Sequence, residues 1–160
     1  MYKTIIKRTG IGLLILVILL GAGGGYYFKS HLPNTVAPKS FPQVDGDIPL
    51  DGLDAAVDIY RDKMGVPHIY ATTSHDLYFA QGFVHAQDRF WQMDFWRHVG
   101  SGRISEMFSS EVETDAFLRT LGWRVTAEQE WEQLPPALKD NLTSYAEGVN
   151  AYLKDHEAAA

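Results

Sequence analysis

Side chains capable of chemistry crowd one stretch of this 160-residue sequence, Arg61 to Gly102, which reads RDKMGVPHIYATTSHDLYFAQGFVHAQDRFWQMDFWRHVGSG. Adjacent Arg61 and Asp62 suggest either an active pair or, as the preferred reading, a turn-end ion pair or a strand-end charge bonded to backbone. His85 and Asp88 have the three-residue spacing of a ligand pair on one helix face. Zinc takes three or four ligands, however, and His75 and His98 fall at other phases, so no metal is expected in this chain. Asp88 and Asp94 are six residues apart and face different ways on a helix of 3.6 residues per turn, which argues against paired acid–base work. Gln87, Asp88 and Arg89 are better read as a buried polar network tying helix to strand. His68, between Pro67 and Ile69, is read as a hydrogen-bonded core residue. The sequence has no G-x-S-x-G elbow, HExxH, P-loop or dinucleotide fingerprint. It also has no cysteine, which excludes disulfides, thiolate metal sites and a cysteine nucleophile here.

Two short strands and a long helix must position these residues. Val57, Ile59 and Arg61 alternate with Asp58 and Tyr60, the period of a half-buried strand. Pro67 to Thr72 forms a second, with Pro67 at its start because proline cannot donate to a ladder. Gly65 supplies the positive φ of the turn between them. The helix starts at an N-cap, Ser74, with Asp76 in its first turn, and stops at Gly100 and Gly102. Leu77, Ala80, Val84, Trp91 and Phe95 follow its period. Phe79, Phe83, Phe90, Met93 and Trp96 widen the stripe until most of the circumference is apolar, which calls for burial between layers. Gly82 inside it costs about 1 kcal/mol against alanine, so a close contact is expected there. Arg103 to Phe108 then predicts a short helix and Thr114 to Gln133 a longer one, which ends before Pro135-Pro136. From Pro136 to Asp155, Leu138, Leu142, Tyr145, Val149 and Leu153 mark a last helical stripe.

The N-terminus reads as a membrane leader. Lys3, Lys7 and Arg8 precede an apolar run, and Thr9 to Phe28 reaches the roughly 20 residues needed to span about 30 Å of hydrocarbon. Residues 1–29 are expected as an uncleaved signal anchor in the inner membrane with a periplasmic domain. In the alternative, Gly21 to Gly25 is cut and the product is secreted. Residues 30–43, with Pro33, Pro38 and Pro42, form a semi-extended tether, and residues 44–160 form the folded part. The net charge of −6 argues against a nucleic-acid partner.

The pattern RD-x-x-GVPHIYA, then DL-x-FAQGFVHAQDRFWQMDFWR, then GR-x-SE resembles the opening of the penicillin acylase family of N-terminal nucleophile amidohydrolases. The likeness runs over Val57 to Phe108 and more weakly through Tyr145 to Tyr152. It departs at Ser109, where such sequences often carry glycine. The resemblance implies an α+β fold: the N-terminal part of an αββα architecture, mostly helical here with a short β-hairpin. Arg61, Asp62, Gly65, Pro67, His68, Gln87, Asp88, Arg89, Gly102 and Arg103 carry the motif, in structural roles. Gln81 and Phe83 lie nearest the substrate cleft.

Such enzymes cut their own precursor to expose a serine, and this nucleophile lies downstream of anything matching this sequence. The resemblance therefore implies no catalytic residue and no cofactor here, and allows calcium in the full-length protein only through downstream ligands. The expected partners are the downstream β segment, the membrane and a small N-acyl amide, penicillin-like or an acyl-homoserine lactone. The fragment alone should be inactive. Two other readings compete: a membrane-tethered module that docks a partner through its aromatic helix, and an all-helical lipid-surface domain, which the strands and the acidic balance disfavour.

Overall fold

An antiparallel hairpin and four helices make up the larger of two units. The computed structural model describes residues 2–36, 41 and 43–156, and the chain divides into Met1–Gly46 and Asp47–Ala160.

In the first unit, helix α1 (Tyr2–Tyr26) runs into wider, π-type turns over Tyr27–Val36. Ser30 to Val36, expected as extended tether, is thus helical despite Pro33. Pro38 and Pro42 lie outside the described residues. Gly12–Thr35 is long and apolar enough to cross a membrane, a property that signal sequences share.

In the second unit, β1 (Asp58–Arg61) and β2 (Pro67–Tyr70) pair with Tyr60 opposite His68 and Ile59 opposite Ile69. The expected turn forms: Gly65 adopts φ +80°, and Asp62 accepts the N–H groups of Met64 and Val66 at 2.8 and 2.9 Å. Asp62 is therefore a charge bonded to backbone, held below its ordinary carboxylate value by the Val66 N–H first.

Helix α2 (Ser74–Ser101) is followed by a 3₁₀ turn (Ile104–Glu106), α3 (Val112–Leu121), α4 (Trp123–Gln133) and α5 (Pro136–His156). The N-cap of α2 is Thr73, one residue before the expected Ser74; its hydroxyl accepts the Asp76 N–H at 3.0 Å. The single helix expected over Thr114 to Gln133 is broken by Gly122, whose φ of +74° ends α3 in the left-handed region that glycine enters at least cost.

The core is the crossing of α2 and α5. Phe79, Ala80, Phe83, Val84 and Ala86 are buried on α2, and Phe83 meets Tyr152 edge to face. A glycine on each helix permits the approach. A Cβ on Gly82 would lie 2.0 Å from the Tyr145 carbonyl oxygen, and one on Gly148 1.9 Å from that of Phe79. The contact expected at Gly82 is thus backbone to backbone. It also rotates α5: Ser144 and Gly148 are buried, whereas Leu138 and Leu142 of the expected stripe are exposed.

Burial of α2 is confined largely to its first half. The backbone leaves helical geometry at Arg89 (φ −143°, ψ 22°). Beyond this kink Trp91 and Trp96 are 64% and 60% exposed, so the predicted burial on most sides fails within this chain. Phe95 stacks on Trp91 and meets Phe108.

Candidate functional site

The charged residues of the motif converge on three fixed points. At the first, β1 is locked to α2. Both terminal nitrogens of Arg61 donate to Asp88, each at 2.9 Å, and they also reach Gln87 Oε1 at 2.8 Å and the Gly65 carbonyl at 3.1 Å. This fork-to-carboxylate geometry is the strong form of an ion pair, and one guanidinium thereby fixes turn, strand and helix together. Gln87 and Asp88 link helix to strand, but not as the buried network read from their types: Asp88 is exposed and Gln87 half-buried. Arg89 instead sits exposed at the kink. Pro67 opens β2 opposite Arg61. His68 is exposed rather than in the core, because its face of the two-stranded hairpin carries no covering layer, and its ring lies 3.6 Å from Asp62.

The second point is Asp76, fully buried at the start of α2. Its oxygens accept the backbone N–H groups of Asp54 (2.8 Å) and Ala55 (3.2 Å). The Asp54 N–H is the chief reason its carboxyl lies below the ordinary value, against the opposing effect of burial. Sequence reasoning gave Asp76 only a dipole role. The available signal was Thr73-x-x-Asp76, a capping-box spacing, but the segment that Asp76 captures could not be read from it.

The third point explains GR-x-SE. Gly102 caps α2 at φ +60°, and a Cβ there would lie 3.0 Å from the Asp115 carbonyl oxygen. Arg103 forks onto Glu106 at 2.7 and 2.6 Å and draws the Glu106 carboxyl down. Arg119 Nε donates to the Gly102 carbonyl at 2.8 Å. Buried Asp115, which no sequence signal singled out, accepts the Ile104 and Ser105 N–H groups and the Ser105 hydroxyl. Burial alone raises the Asp115 carboxyl, but these donors bring it below its ordinary value.

Reactive geometry is a different matter. Among the described residues no serine or threonine hydroxyl is hydrogen-bonded to a histidine, and the carboxylates above mainly accept backbone N–H groups or arginine, with the Ser105 hydroxyl on Asp115 and histidine rings beside Asp62 and Asp76. Asp54, His75 and Asp76 offer ligand atoms within 4.8 Å of one another. Two carboxylates and one imidazole fall well short of the six to eight oxygens that calcium takes, and Asp76 already accepts two backbone N–H groups, so these residues do not fit it. An open cleft of about 540 Å³ lies along the kink, lined by Gln87, Trp91, Phe95, Trp96 and Tyr152 among others. Neither substrate-cleft candidate lines it: Phe83 is buried against Tyr152, and Gln81 is half-buried one turn earlier.

A kinked aromatic helix crossed glycine to glycine by a second helix, with an arginine-clamped hairpin at its side, defines a scaffold. The penicillin amidase family model matches residues 56–160, and the chain belongs to that family. It is 41% identical over 115 residues to the penicillin acylase 2 proenzyme of Pseudomonas sp. (strain SE83), covering 71% of this chain and 15% of that protein. It is 42% identical over 136 residues to the acyl-homoserine lactone acylase QuiP of Pseudomonas aeruginosa, covering 84% and 16%. Among solved structures, it matches a chain of the thermostable penicillin G acylase from Alcaligenes faecalis with a TM-score of 0.58 and 29% identity, covering 65% of this chain and 56% of that one. The chain thus spans about 15% of the length of the first of these curated relatives and 16% of the second.

Proposed function

We propose that this chain is the N-terminal part of an exported amidohydrolase that cleaves linear N-acyl amides, penicillin-like or acyl-homoserine-lactone-like, after autoproteolytic processing. The observation that carries the proposal is the 41–42% identity to two acylases over most of this chain and only 15–16% of theirs. The exposed face of Trp91 and Trp96 supports it, as a surface that further chain would cover.

In this reading the N-terminal-nucleophile fold is completed downstream. A serine freed as a new N-terminus attacks the amide carbonyl. Its own α-amine takes the proton, and preorganised donors hold the oxyanion. An α-amine with a pKa of about 7.7–8.0 serves as that base near neutral pH. This segment contributes no reacting group. It holds one wall of the core, pairs with the downstream β segment, and is delivered to the periplasmic face of the inner membrane by the apolar N-terminal helix. Calcium, where the full-length protein holds it, is ligated by downstream residues.

The test is to express the complete reading frame beside residues 1–160 and to assay both on N-acyl amides. Hydrolysis is expected from the complete frame alone. Amide hydrolysis by the 160-residue protein would overturn the assignment of its residues to scaffold.

A further inference from the structure

His75 touches the Asp76 clamp and reaches beyond it, to the point where three elements meet. Its Nδ1 lies 3.2 Å from Asp76 Oδ1 on its own helix and 3.7 Å from Asp54 Oδ2 on the preceding loop. Its Nε2 lies 3.6 Å from Glu147 Oε2 on α5, and the Phe79 ring flanks it at 6.2 Å. Each packed element thus presents a carboxylate to the ring: Asp54 from the loop, Asp76 from α2 and Glu147 from α5.

The three carboxylates are not equivalent. Asp76 is buried and anchored by backbone N–H groups whatever the state of the ring. Asp54 and Glu147 are 67% and 53% exposed, and either can swing away. An imidazolium donates from both nitrogens, whereas a neutral imidazole has one N–H and one lone pair. With Asp76 fixed 3.2 Å from Nδ1, the single proton of the neutral ring belongs there. The Nε2 lone pair then faces the Glu147 carboxylate, and attraction becomes repulsion.

We propose that His75 is a proton-operated tie between the loop at Asp54 and helix α5 at Glu147, closed while the ring carries both N–H protons and slack once Nε2 gives one up. The tie joins the segment leading into the hairpin to the helix that crosses α2, so its state sets how firmly the start of the folded unit is held. The Asp76 hydrogen bond, chiefly, and the charges of Asp54 and Glu147 raise the ring's pKa above its ordinary value. The stabilisation is therefore complete below the unfolded-state histidine pKa and is lost as pH rises through the higher folded value.

The test is a nitrogen-detected histidine titration of the intact 160-residue chain, with the His75 ring assigned by its disappearance in H75Q. Its midpoint should lie above about 6.5, the ordinary histidine value, and D54N and E147Q should each lower it. Backbone amides at Asp54–Ala55 and around Glu147 should move with the same midpoint, and in H75Q should stay at their high-pH positions throughout. A midpoint at or below the ordinary value, or one that E147Q leaves unchanged, overturns the proposal. So do amides that fail to follow the ring.

Discussion

Replacing Gly82 with alanine should destabilise the folded unit even though it improves the helix locally. The added methyl would start 2.0 Å from the Tyr145 carbonyl oxygen, and that oxygen is backbone, not the tip of a flexible side chain. An ordinary carbon–oxygen contact needs over 1 Å more, so α2 and α5 must move apart. Phe79 and Phe83, buried at this crossing, then lose contacts. Overpacking a tight interior typically costs about 1–3 kcal/mol, and a backbone neighbour belongs at the upper end. Helix propensity returns about 1 kcal/mol. The net loss is roughly 2 kcal/mol, or roughly 8 °C in Tm for a unit of this size. The control is Gly100→Ala in the same helix, where a Cβ meets nothing within 4 Å; there the propensity term acts alone and stability should rise by up to about 1 kcal/mol. Urea unfolding followed by circular dichroism reads both. If G82A is as stable as the wild type, the backbone-to-backbone crossing is wrong.

Other predictions follow from the clamps and the exposed face. Arg61→Ala should cost about 1 kcal/mol by removing the donor that Asp88 and Gln87 share, since water can reach the exposed Asp88 carboxylate. R61K should recover little, because an ammonium cannot reproduce the fork; recovery by lysine in the same unfolding experiment would show that charge alone suffices. Asp76, Asp115 and Glu106 all have lowered carboxyl pKa values. Their stabilisation is present above the unfolded carboxylate pKa and lost as pH falls through the lower folded values. Acid unfolding should therefore be less steep in D115N, and an unchanged acid limb would contradict the assignment. Trp91 and Trp96 on α2 and Trp123 and Trp131 on α4 are all exposed, so acrylamide should quench the fluorescence of the 160-residue protein strongly; weak quenching would mean these side chains are covered.

What the sequence announced and what it concealed divide along physical lines. The hairpin, Gly65 at its turn and the extent of α2 were readable because each depends on local chemistry: a positive φ and a period. That Gln87 and Asp88 reach a strand was read from their types, but their partner Arg61, 26 and 27 residues away, was assigned to the turn instead. The α2–α5 crossing was half readable. Gly82 was conspicuous as a costly residue in a helix, but its counterpart Gly148 lay outside the large-residue stripe from which the α5 face was read. When backbones touch, the buried face is marked by small residues, and a search for leucines looks on the wrong side. Asp76 and Asp115 were hidden for another reason: their partners are backbone N–H groups of segments that only the tertiary fold brings near. His68 failed because its pattern fits a covered strand, and this hairpin is covered on one face only.

The central claim, that this segment is the scaffold of an acylase whose reactive serine lies elsewhere, is tested most directly by mass spectrometry of the protein purified from the complete reading frame. Two chains held together without a covalent link are expected, one carrying this segment and the other beginning with serine, and the pair should hydrolyse an N-acyl amide. A single unprocessed chain that hydrolyses the amide, or a processed pair with no amidase activity, would contradict it.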